Sequence, residues 1–288
     1  MLDFSKVREK SEAGLVTIKT RAGSTATVSA FGGQLLSWVP VGRGEQLYLS
    51  PCAQIGAGTA IRGGAPVIFP QFADRGSIVR HGFARTQVWR LVDSKESGAE
   101  AFVEYQLQDD AFTRSIWPHT FDLRLRVLLR DSGVQVSLSC LNRGDKPFDF
   151  CAAIHSYFRV SDVEQVRLIG LEGAGFWDSA ERREGVASFD VLTLVGEVDR
   201  IYRGVDRELK LNEAGNERLC LSQSGFQDVV VWNPGPQKAV ALVDMPPEDH
   251  KHLICIEAAQ VNTPIRLEPG QIWEGAQRIC IAGDTGGE

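Results

Sequence analysis

The sequence predicts an all-β protein built as one large antiparallel β-sandwich, and three observations carry that expectation. Short runs with an apolar–polar step of two recur along all 288 residues, most of them bounded by Gly, Pro, Asn or Asp. No segment keeps an i, i+3, i+4, i+7 apolar spacing for three helical turns. No alternation of strand-like and helix-like segments suggests a parallel, doubly wound sheet.

Taken in chain order, LVTIKT, TATVSAF and LLSWVP open the series, followed by AFVEYQLQ. The clearest pair comes next. In FDLRLRVLLR (121–130), Phe121, Leu123, Leu125 and Val127 fall on one side and Asp122, Arg124 and Arg126 on the other. After Asp131, Ser132 and Gly133, VQVSLSC resumes the alternation, so the two runs read as a hairpin. FDFCAAIHSYF, QVRLIGL, ELKLNE, RLCLSQ, DVVVWN, AVALVDM, LICIEAAQV and RICIAG complete the strands, while WDSAERREG and PPEDHKH are the short-helix candidates. With no low-complexity linker and no fixed-period repeat, residues 1–288 read as a single domain, with AGDTGGE as a short disordered tail.

Composition narrows the function. A hydrophobic content of 43% with 24% charged residues is ordinary for a globular chain. The net charge of -6 opposes nucleic acid and anionic membrane, and no stretch is long enough for a spanning helix, so neither partner is expected. Cys52, Cys140, Cys151, Cys220, Cys255 and Cys280 show no CxxC pair or zinc-type spacing and read as reduced thiols. The N-terminus lacks the apolar core of a secretory signal, and the expected location is the cytoplasm.

Against that acidic background, residues 61–89 gather Arg62, Arg75, Arg80, His81 and Arg85. Gly63 and Gly64 after Arg62 would let a loop approach a ligand closely; the alternative is a tight turn with a solvated arginine. HGFAR adds His81 and Arg85 at a spacing that suits one pocket edge, against the plainer reading of a surface His and Arg around a core Phe83. An anionic small ligand needs such contact-range forks.

Two further residues interrupt apolar strands: His155 in FDFCAAIHSYF and Glu257 in LICIEAAQV. Each alone reads as a satisfied core residue, but a buried carboxylate is costly unless paired or used. Together they offer proton transfer, with burial raising the glutamate pKa and a nearby carboxylate raising that of the histidine. That chemistry suits an isomerase without cofactor. Ser156 has no GxSxG elbow, the HKH of 250–252 lies in a charged turn, and His119 has no ligand partner, so hydrolase and metal readings are weaker; a two-carboxylate glycosidase stays open.

IRGGAPVIFPQF, HGFAR with Trp89, HSYFRVSDVEQVRLIGLEG, EVDRIY, DVVVWNPG, ALVDMPPEDHKHLICIEAAQV and PIRLEPGQIWEG form an ordered series along nearly the whole chain. This series resembles the aldose 1-epimerase (mutarotase) superfamily, and within it the hexose-6-phosphate mutarotase, or glucose-6-phosphate 1-epimerase, branch. The resemblance implies a galactose mutarotase-like supersandwich, an enzyme needing no cofactor or metal, and interconversion of the α and β anomers of a hexose phosphate. It assigns catalysis to His155 and Glu257, and substrate contact to Arg62, Arg85, His81 and Asp199, the two arginines reaching the phosphate. The expected partner is a small sugar phosphate, bound by a monomer.

Two positions depart from the family pattern. Arg80 stands where Gln is common before HGxAR, and either strengthens an anion site or points to water. Gly235 follows WNP where Trp is common, so any packing of that ring on the sugar is absent or replaced. Mutarotation of unphosphorylated aldoses and non-catalytic sugar-phosphate binding are the competing functions.

Overall fold

The computed structural model describes residues 14–56, 58–188 and 190–283. Three antiparallel sheets of three, eight and nine strands make up the molecule, and every strand pair within them is antiparallel. The expected all-β sandwich is what these residues form. The step-of-two pattern explains it: in strand Phe121–Arg130 the side chains of Leu123, Leu125 and Val127 are fully buried, and Arg124 and Arg126 face water. Burying each such apolar side chain contributes about 1.5–3 kcal/mol. Strand Gly133–Asn142 pairs with it across the expected hairpin, Arg130 facing Gly133.

The inner faces of the large sheets enclose one apolar core, reaching from Leu123 and Val136 on the nine-stranded sheet to Ile254 and Ile256 on the eight-stranded one. The nine-stranded sheet ends at strand Arg90–Ser97, which is exposed along its whole length and bulged between Leu91 and Asp93. No helix among the described residues is long and apolar enough to cross a membrane.

Two local expectations need correction. WDSAERREG is a hairpin, strands Gly175–Asp178 and Arg183–Val186 joined by a turn, because the apolar Phe176 packs into the core ahead of a charged turn. AVALVDM is no strand: its first residue ends the short helix Gly235–Ala239, which Pro234 precedes, and turns follow. A six-residue helix, Ala111–Ile116, went unpredicted; a capping box between Asp110 and Thr113 starts it. PPEDHKH does form a 3-10 turn, Pro247–His252. The tail expected at AGDTGGE lies outside the described residues from position 284 onward.

Residues 61–85 are held by aromatic anchors and glycines. Phe69 is fully buried, with its ring centroid 6.0 Å from that of Phe83, 5.4 Å from Phe121 and 5.2 Å from Phe150. Gly63, Gly64 and Gly82 have positive φ, and an added Cβ would sit 2.3, 2.3 and 2.0 Å from the carbonyl oxygens of Tyr48, Leu35 and Phe69. The glycines therefore let this segment approach protein backbone, which corrects the expectation that Gly63 and Gly64 serve a close approach to a ligand.

Gly82 and Gly42 share a φ of +68°, but nothing lies within 4 Å of a Cβ at Gly42. Gly82→Ala should therefore lower unfolding free energy by about 1–3 kcal/mol more than Gly42→Ala, because only the former adds backbone displacement to φ strain. Urea unfolding of both variants checks this, and equal losses would contradict it.

Candidate active site

Strand Leu253–Leu267 runs through the middle of the eight-stranded sheet, and its register builds the site. On one side it pairs with strand Phe148–Ile154 and then with strand Tyr157–Arg159. Ile154 faces Ala258 and Tyr157 faces Cys255. The same register sets His155 opposite Glu257 and Ser156 opposite Ile256, and Ile256 N donates to the Ser156 carbonyl at 3.1 Å. Two residues separated widely in the chain are cross-strand neighbours.

The register continues outward. Glu257 faces Val230 of strand Asp228–Asn233, and Val230 faces Ile201 of strand Val198–Arg203. Two residues along, Tyr157, Cys255, Trp232 and Asp199 form the parallel row. Since side chains alternate between faces, both rows project to the same side of the sheet. There they floor a cavity of about 680 Å³ whose walls include Arg62, His81 and Arg85.

Strand Val67–Ile68 lies along Ala153–Ile154, Pro66 O accepts from His155 N at 2.9 Å, and Gly64 O accepts from Tyr157 N at 2.8 Å. This path carries Arg62 to the cavity. Its guanidinium is already engaged: Nε donates to both carboxylate oxygens of Asp244 at 3.1 and 3.2 Å, and Nη1 donates to the Tyr157 hydroxyl at 3.0 Å. Arg85, in the single turn Ala84–Thr86, differs. Nη2 donates to the Arg80 carbonyl at 3.1 Å, and among the described residues Arg85 makes no ion pair. Burial lowers its pKa, and Arg62 and Arg80 press the same way. Arg75 and Arg182, which also line the cavity, likewise make no ion pair among the described residues, but both are exposed. Arg80 is exposed and paired with Asp74 at the cavity edge.

His155 Nε2 lies 3.2 Å from Glu257 Oε1, with the two side chains 10% and 1% exposed. Burial, then Arg85 and Arg62, lower the imidazole pKa to about 3. Burial and the neighbouring Asp199 raise the Glu257 carboxyl well above its ordinary value. The expectation that a carboxylate would raise the histidine is thus corrected: desolvation and the arginines outweigh it. Both shifts run in the same sense, disfavouring charge on either member of the pair. His155 Nδ1 and Glu257 Oε2 are buried with no hydrogen-bond partner among the described residues.

Around this pair the polarity is fixed. The His155 ring stacks on Tyr157 at 4.9 Å and 13°. His81, at φ 65°, accepts from Ala73 N through Nδ1 at 3.3 Å, which leaves its proton on Nε2 as a donor. Burial and Arg85 hold the His81 pKa far below the usual imidazole range. Asp199, its pKa raised by burial, sits 4.0 Å from Lys238 Nζ and offers the acceptor on the far wall.

The residues assigned to catalysis or substrate contact, Arg62, His81, Arg85, His155, Asp199 and Glu257, line this one cavity, together with Arg75 and Arg80 of the basic cluster. Tyr157, Trp232, Arg182 and Lys238 also line it and were not assigned there; for Tyr157 and Trp232 the step-of-two spacing from His155 and Val230 was the available signal. Gly235 has a φ of +62° and would place a Cβ 2.5 Å from Glu197 N, so no ring fits at that position. His250 and His252 each bond a backbone carbonyl, and no three His, Cys, Asp or Glu among the described residues group as metal ligands.

The depressed histidines set an acid response. An unfolded chain protonates His81 as pH falls through about 6.5, whereas the folded chain does not, so stability is present above that pH and is lost as pH falls. His81→Asn should flatten the fall in melting temperature between about pH 6.5 and pH 4 relative to the parent. Thermal melts across that range check it; parallel curves would contradict it.

With this geometry in hand, likeness to known proteins is specific. A family model described as aldose 1-epimerase matches residues 14–280. A Cenchrus ciliaris protein named "Putative glucose-6-phosphate 1-epimerase" is 34% identical over 286 residues, covering 95% of this chain and 86% of its own. A Salmonella typhimurium protein of the same name is 33% identical over 261 residues, covering 89% and 87%. The crystal structure titled a "putative mutarotase (YeaD)" from Salmonella typhimurium superposes with a TM-score of 0.86 at 31% identity, over 93% of this chain and 90% of that one. The chain belongs to the aldose 1-epimerase family.

Proposed function

We propose that this protein interconverts the α and β anomers of a hexose 6-phosphate, with glucose 6-phosphate as the expected substrate, by acid–base ring opening and reclosure. The observation that carries the reading is the cross-strand His155–Glu257 pair at 3.2 Å beside the uncompensated Arg85. The names of the plant and bacterial relatives support the same substrate. In this reading the protein acts as a monomer in the cytoplasm, where its six unpaired cysteines stay reduced.

The sugar's phosphate supplies the anion that Arg85 lacks, with Arg80 beside it and Arg62 behind. Neutralising these charges weakens the influence that lowers the His155 pKa, and in this reading a proton passes from the Glu257 carboxyl to the imidazole. Glu257, now a carboxylate, takes the proton of the C1 hydroxyl; the C1–O5 bond breaks, C1 becomes a carbonyl, and the ring oxygen takes the proton of His155. The His81 Nε2 proton and the Asp199 carboxylate hold the remaining hydroxyls. Rotation about C1–C2 turns the other carbonyl face toward O5. Closure returns one proton to His155 and delivers the other from Glu257 to O1, leaving the pair as it began. Because anomers exchange unaided in water, roughly 10²–10⁴-fold from each group is enough.

One observation favours an unphosphorylated aldose instead: Asp244 already compensates Arg62. Arg85→Ala separates the readings. It should raise KM for glucose 6-phosphate about tenfold more than for glucose, a differential of about 1.4 kcal/mol; equal effects would remove the phosphate role. Glu257→Gln should lower kcat for anomer exchange by about 10²–10⁴-fold while sugar phosphate still binds. Exchange spectroscopy reads both variants, and near-parental turnover in Glu257→Gln would remove that residue as the base.

A further inference from the structure

Strand Ile272–Ile281 of the nine-stranded sheet turns Gly275, Gln277, Ile279 and Ile281 into the sandwich. Ile279 and Ile281 join the apolar core, while Gln277, 3% exposed, places an amide in it. A buried amide without partners is costly, so what its two ends hold explains its presence. Oε1 accepts from Ser156 Oγ at 2.5 Å, and Nε2 donates to the Ile256 carbonyl at 2.9 Å.

Those contacts land on the residue after the imidazole and the residue before the carboxyl. One side chain from the opposite sheet thus holds both strands from behind, directly beneath the His155–Glu257 pair. The strand is kinked there: Ser156 N turns back to the Ile154 carbonyl at 3.1 Å, while His155 N and Tyr157 N are taken by Pro66 and Gly64. Across the kink, the Ile256 N to Ser156 O bond is the backbone tie to strand Leu253–Leu267, and the Gln277 amide doubles it.

We propose that Gln277, through Ser156 and Ile256, is a positioning residue that fixes the separation of His155 and Glu257 from the core side of the sheet. Its consequence for turnover rests on the acid–base reading above; the geometric claim does not. An error of about 1 Å between reacting groups can cost on the order of a hundredfold in rate, so a tie at this point is worth a buried amide.

The test compares Gln277→Leu, Ser156→Ala, the double variant and Gln277→Glu. Three readouts are taken: nitrogen chemical shifts of the His155 ring, assigned by their loss in His155→Gln; kcat and KM for anomer exchange; and melting temperature. Gln277→Leu and Ser156→Ala should each move the His155 shifts toward a tautomer average and lower kcat by about ten- to a hundredfold, with KM within about threefold. The double variant should lose no more than the worse single one. Gln277→Glu, whose protonated acid can accept from Ser156 and donate to Ile256, should recover kcat as pH is lowered, and it carries the test should Gln277→Leu fail to fold. Unmoved His155 shifts with a lowered melting temperature alone would overturn the proposal, whatever the activity. Shifted signals in a parent protein that does not accelerate anomer exchange would sink the acid–base reading and leave the positioning role standing.

Discussion

Everything in the cavity depends on the antiparallel register between residues 148–159 and strand Leu253–Leu267. A slip of one residue would send every side chain of the moved strand to the opposite face. Glu257 would then enter the apolar core and Ile256 the cavity. The register is held by packing on that inner face, where Ile254, Ile256 and Ala258 are buried against the second sheet. The hydrophobic core thus does more than stabilise: it selects the alignment in which an imidazole and a carboxyl meet.

Meeting there is electrostatically uncomfortable. A carboxyl that is 1% exposed would be destabilising as an isolated anion, and an imidazole walled by arginines would be so as a cation. The shifts of both groups oppose that charge, the carboxyl held up by burial and Asp199, the imidazole held down by burial and the arginines.

Much of this was legible in the sequence, for physical reasons. Alternating patterns such as FDLRLRVLLR declare their own buried face, and the strands that carried them formed. Polar interruptions of apolar runs, His155 and Glu257, are rare enough to point to use. What stayed hidden was set by tertiary contact. The charged turn in WDSAERREG looked helical because nothing local shows that Phe176 is anchored in the core. The sign of the His155 pKa shift depends on arginines from a separate loop. Gly63, Gly64 and Gly82 announced close approach but not to what, since a glycine pressed against a carbonyl and one pressed against a ligand read alike. Asp244, which neutralises Arg62, lay in a segment read as a strand.

The outermost strand of the larger sheet, Arg90–Ser97, has its own consequence. Its backbone is a template to which another chain could add, and the longest such margin among the described residues is the most hazardous for self-association. Asp93, Lys95 and Glu96 would have to be pressed against a newcomer's side chains, the irregularity after Leu91 would have to straighten, and the Glu96 carboxylate would have to release Lys19 N. Growth by strand addition at this edge is therefore disfavoured by charge, by shape and by a bond already made.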